Sequence, residues 1–181
     1  MVEEDILREN IISADGKTFG GMVEIVVSKL NALNKASDSS HDRLCGATRR
    51  KIEVKAVRAL NKKGKLSENN LVEIFLHSKI QKKLVTDADK KIANWDGGIC
   101  QVKLECFDTL YYAAFFHDKI YIFKITPDEI INDKNISFSD KQHRGGKMGQ
   151  FHLKPTCIQY HIDNYLYHTL SYAQLVAILK S

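Results

Sequence analysis

Two apolar runs, residues 109–116 and 119–125, flank the polar pair His117-Asp118 and together read as a β-hairpin. A buried hairpin of this length needs neighbours. Upstream, residues 51–59 read as a strand, with Ile52, Val54 and Ala56 on one face and Glu53 and Lys55 on the other. Residues 99–106 carry a further alternation, Cys100, Val102, Leu104 and Cys106 against Gln101, Lys103 and Glu105. Residues 150–153 add another strand.

Helices interleave with these strands. Residues 3–12 form a short helix, and 19–34 carry an apolar stripe of helical period from Phe19 to Leu33. The polar residues 35–41 break it. A turn around Gly64 leads to a helix from Ser67 to about Lys82, and residues 94–98 form a second turn. Thr126-Pro127-Asp128-Glu129 starts a helix, and Ser171 with Gln174 is a capping box for a helical C-terminus. The expected fold is α/β: a central mixed β-sheet flanked by helices, in one domain over residues 1–181.

Other classes are disfavoured. No apolar run approaches the roughly 20 residues a membrane span needs. The first ten residues are acidic where a targeting peptide would be basic, so a cytoplasmic location is expected. Cys45, Cys100, Cys106 and Cys157 show no C-x-x-C spacing and read as reduced thiols. The seven histidines show no zinc spacing either.

The net charge of +5 conceals a sharp asymmetry. Between Arg43 and Lys65 lie nine basic residues and a single acid, Glu53. Residues 141–154 add Lys141, Arg144, Lys147 and Lys154 with no acid at all. Such clustering is the electrostatic footprint of a polyanion site.

Within the larger segment, Asp42 is followed eleven residues later by Glu53-Val54-Lys55. A carboxylate and an ammonium two apart on a strand share a face. An upstream Asp can share a hard divalent ion with that Glu, and Mg²⁺ takes carboxylate oxygens and water. This is the smallest set of groups able to hydrolyse a phosphodiester. Gln101 and Lys103, with Asp87, Asp89 or Asp96 upstream, form a competing pair. A neutral amide is the poorer Mg²⁺ ligand, so Glu53 and Lys55 are preferred. Glu24, off the apolar stripe of its helix, is a further carboxylate candidate.

These residues resemble the PD-(D/E)xK nuclease superfamily, and within it the type II restriction endonucleases. A helix precedes Asp42 as one precedes the metal Asp there, and Lys55 is followed by small Ala56 and basic Arg58. Residues 100–108 and 118–125, and the basic loop 142–152, are similar to later segments of such enzymes. The similarity spans about residues 19–155; His41 stands where the family often has Pro. The resemblance implies a restriction-endonuclease-like core and cleavage of double-stranded DNA by a homodimer. In it, Asp42 and Glu53 bind Mg²⁺ and Lys55 acts on the attacking water. Arg49, Arg50, Lys51, Arg58, Lys103, Arg144, Lys147, Gln150 and His152 are the DNA-binding candidates. The alternatives are a repair or junction-resolving nuclease on the same core, and a non-catalytic nucleic-acid-binding module.

Overall fold

Leu110, Tyr112, Ala114 and Phe116 belong to one hydrophobic cluster, and Tyr111, Ala113 and Phe115 to a second. Alternate residues of one strand therefore feed two cores, and the strand is covered on both faces. A computed structural model of the chain describes residues 2–36, 40–61, 83–140 and 148–181. In chain order its elements begin with α1 (Glu3–Ser13), α2 (Gly16–Asn31), β1 (Leu33–Lys35), β2 (Arg43–Cys45) and β3 (Lys51–Arg58). Next come β4 (Gly97–Val102), a 3₁₀ turn (Leu104–Cys106), β5 (Thr109–Phe115), β6 (Ile120–Ile125) and α3 (Pro127–Asn132). The chain closes with β7 (Gly149–Leu153), α4 (Ile158–Tyr165), β8 (Leu166–Leu170) and α5 (Tyr172–Lys180). The turn at Gly64, the helix from Ser67, and Arg144 and Lys147 with their loop lie outside the described residues.

The expected architecture is present: a mixed six-stranded sheet, ordered β1-β2-β3-β5-β6-β8, flanked by helices. β5 runs parallel to β3 and all other neighbours are antiparallel. One face carries α1, α2 and α5 through Ile11, Phe19, Val23, Val27 and Leu175. The opposite face is covered by a two-stranded β4-β7 ribbon and α4, through Trp95, Ile99, Phe151 and Ile158. The expected capping box forms at Ser171 with Gln174, and the expected helix start at Thr126 forms as a second one, with Glu129. The four cysteines are free thiols, each half-buried. Among the described residues, no helix is long and apolar enough to cross a membrane.

Three boundaries differ from the sequence reading. Helix α2 starts earlier, because the Asp15 carboxylate accepts the Lys17 and Thr18 N–H groups. It ends earlier too: Ala32 adopts the left-handed conformation (φ 49°) and turns the chain into β1. Strand β4 stops at Val102 instead of running to 106. Ile99 and Val102 are both buried, three residues apart, which a two-residue period cannot give. A bulge absorbs the extra residue, with Gln101 at φ 59°. Finally, Leu166–Leu170, just ahead of the Ser171 cap, is an edge strand paired with β6. Tyr167 is therefore a strand residue, its hydroxyl donating to Asn31 at 2.6 Å.

The ribbon crosses β3 at Gly97, where a Cβ would lie 2.7 Å from Val57 Cβ. Gly97→Ala is therefore expected to destabilise the fold by about 1–3 kcal/mol through overpacking. A lowered urea midpoint with unchanged m-value is the measurement that checks it.

Candidate active site

Strand β2 pairs with β3 only at its start, Arg43 opposite Ile52 and Leu44 opposite Lys51. Asp42, just before β2, closes this short ladder. Its N–H donates to the Ile52 carbonyl at 3.0 Å, and its Oδ2 accepts the Val54 N–H at 2.8 Å. The acid upstream and the Glu-x-Lys strand are thus locked together by main-chain hydrogen bonds. Beyond this point β3 has no partner strand on that edge among the described residues.

Glu53 and Lys55 share the ribbon-facing side of β3 with Val57, as the alternation requires. Their side chains form a close ion pair and are 12% and 22% exposed. Burial pushes the Glu53 carboxyl above the usual carboxylate range; Lys55 opposes the shift and the charge of Asp42 adds to it. Lys103, exposed just after β4, also pulls Glu53 down through its charge. Glu24 on α2 joins from the helical side. It pairs with Arg43 at 3.2 Å, and its carboxyl is raised by burial and then by Asp42. Arg43 Nε is buried with no hydrogen-bond partner among the described residues. Three acids therefore act on one another across the edge of the sheet, against Arg43 and Lys55.

Among the described residues, no group of three or more His, Cys, Asp or Glu is drawn together around a metal position. Mg²⁺ does not require one, since one or two carboxylates plus water and substrate phosphate suffice. The charge of Asp42 reaches the Glu53 carboxyl and adds to its upward shift. Asp42 Oδ1 accepts no hydrogen bond from a described residue. This all-oxygen pair fits a hard divalent ion.

Asp42 and Lys55 line an open cleft of about 500 Å³ between α2, the edge of β3 beyond β2 and the start of β4. Asp96 and Gln101 line its far wall, and Lys17, Gly20, Gly21 and Glu24 the helical wall. Glycine within a helix costs about 0.5–1 kcal/mol relative to alanine. A Cβ on Gly20 or Gly21 would meet no atom within 4 Å, so no packing contact in the protein requires glycine there.

The other candidates separate into groups. Arg49 and Arg50 sit on an exposed hairpin loop, closed by the Cys45 N–H to the Arg50 carbonyl at 2.9 Å, and exposed Lys51 follows as the first residue of β3. Arg58 lines the same cleft, and its guanidinium donates to the carbonyls of Ile11, Ile12 and Ala14 at 2.7–3.3 Å and lies over the Phe19 ring. It also caps the end of α1. Gln150 and His152 point the same way from β7, as expected. Gln150 Oε1 accepts from the Cys100 thiol at 3.6 Å, and His152 Nδ1 lies 2.6 Å from Asp96 Oδ1. In the competing pair, Gln101 and Asp96 line the same cleft, whereas Asp87, tied to Lys90, Lys119 and Tyr121, does not. Sequence reasoning passed over Lys17, although its spacing to Gly21 and Glu24 puts all three on one helix face.

No family model matches the chain, and neither a curated protein nor a solved structure matches it.

Proposed function

We propose that the protein is a Mg²⁺-dependent endonuclease that hydrolyses phosphodiester bonds of double-stranded DNA, of the type II restriction kind. One observation carries the reading: the hydrogen bond from Val54 N–H to Asp42 brings the upstream acid against the Glu53-Lys55 strand, at the floor of an open cleft. The exposed Arg49-Arg50-Lys51 segment runs from the β2–β3 loop into β3 and so projects from the same pair of strands. It supplies cations for a phosphate backbone beside the acids.

Asp42 and Glu53 are the residues that would hold Mg²⁺. Bound there, the ion supplies neutralisation of phosphodiester charge and acidification of a bound water. Lys55 holds Glu53 as the anion in a half-buried site and presents an ammonium at the cleft, where it orients the attacking water. Glu24, kept by Arg43, sets the negative field behind the pair. The resemblance to type II enzymes adds a homodimer, each subunit cutting one strand of a palindrome.

Digestion of phage DNA with Mg²⁺ and with excess EDTA tests the reading. Discrete fragments only with Mg²⁺ are expected. A smear replaces the restriction enzyme with a non-specific nuclease, and intact DNA under both conditions overturns the enzymatic reading.

A further inference from the structure

The cleft extends well past the acids. Helix α2 carries Glu24 at the carboxylate end and Lys17 at the other, both on the cleft wall. Seven residues of helix separate them by about 10 Å. Lys17 is exposed and has no ion pair or side-chain hydrogen bond among the described residues. Asp15 caps the helix by accepting the Lys17 and Thr18 N–H groups, so the helix end itself is satisfied and the ammonium is what remains.

The floor between these ends is main chain. On β3 the Ile52 carbonyl and the Val54 N–H face Asp42, so Ala56, two residues on, turns its N–H to the same edge. No described residue accepts it. The wall opposite is bare at Gly20 and Gly21. Among the described residues, a channel whose floor holds a main-chain N–H without an acceptor, whose helical wall is bare at Gly20 and Gly21, and which Lys17 and Arg58 both line suits a sugar-phosphate backbone: phosphate oxygens take N–H groups and basic side chains alike.

We propose that the DNA strand being cut lies along this cleft, from Asp42 and Lys55 to Lys17, with Lys17 binding a phosphate within three nucleotides of the scissile bond. The bound follows from the roughly 10 Å of helix and an axial rise of about 3.4 Å per nucleotide, the least that one nucleotide spans. This inference rests on the nuclease reading and adds the path of the substrate through the site.

The test uses the full chain, short duplex DNA in EDTA for binding, and phage DNA with Mg²⁺ for cleavage. Lys17→Ala should weaken binding about 5- to 10-fold at low salt and lower the slope of log K against log[salt] by about 1. Its melting temperature should match the wild type. Gly21→Leu fills the bare wall, and binding should fall at least about 10-fold with the thermal transition retained. Should Gly21→Leu fail to fold, Lys17→Ala and the charge-reversing Lys17→Glu carry the test. Wild-type binding and salt slope in both Lys17 variants, with cleavage lost in Glu53→Gln, overturn the strand path and leave the nuclease standing. Cleavage that survives Glu53→Gln overturns both.

Discussion

Glu53→Gln is expected to slow DNA cleavage by a factor on the order of 10³ while DNA binding in EDTA stays within about twofold of wild type. The substitution keeps shape and removes charge. Mg²⁺ then loses one of two carboxylates, and Lys55 loses the anion it is paired with. Lys55→Ala should have a comparable effect on cleavage, for the converse reason: Glu53 stays half-buried with its main counter-charge gone, and its carboxyl, already raised by burial, rises further. Each variant also leaves an uncompensated group in a pair that is mostly buried, so stability should drop by about 1–3 kcal/mol. Urea melts run beside the cleavage assays separate the two effects. Wild-type cleavage in both variants would refute the assignment of the site.

The second large effect concerns acid. His161 on α4 is 1% exposed, its Nδ1 hydrogen-bonded to the Tyr112 hydroxyl at 2.7 Å and its ring stacked on Phe151. Burial lowers its pKa from 6.5 to about 4. Between those values the unfolded chain takes up the proton and the folded chain does not. Stability is therefore full above about pH 6.5 and declines as the pH falls toward 4. The whole effect is about 3 kcal/mol, of which about 2 kcal/mol is lost between about pH 7.5 and pH 5. Asp87 and Asp133, each lowered to about 2 by hydrogen bonds that outweigh the opposing effect of burial, extend the loss only at lower pH. His161→Gln, which keeps a polar atom for Tyr112, should show a flatter stability profile over that range. Equal pH dependence in variant and wild type would remove His161 as the cause.

Where a pattern is local, the residues announce it. The capping boxes at Thr126 and Ser171 depend on groups three residues apart, and both form. The hairpin of β5 and β6 depends on two runs and a short turn, and it forms with its strands in register from Leu110–Ile125 to Phe115–Ile120. The opposite faces of Glu53/Lys55 and Ile52/Val54 follow from the two-residue period of a strand.

Patterns that depend on a distant partner were not legible. The alternation at Cys100, Val102 and Leu104 is real in sequence, yet burial of Ile99 and Val102 under the sheet forces a bulge through it. Edge strand β8 has only Leu170 buried, so its apolar signal is weak, and pairing with β6 makes it a strand. Arg58 belongs by sequence to the basic cluster, and the three carbonyls that it also caps lie at the end of α1, more than forty residues away.

By itself the sequence determined the α/β class, the mixed sheet, and the pairing of one acid with one lysine in the most basic stretch of the chain. Those depend on periodicity, composition and short spacing, which neighbouring residues carry among themselves. The tertiary structure decided the rest. It set Asp42 against Val54, brought the charges of Glu24 and Lys103 to bear on the same pair, and opened a cleft along the edge of β3 beyond β2. Hydrogen bonds and charges act over a few ångströms, and only folding brings residues far apart in the chain within that reach.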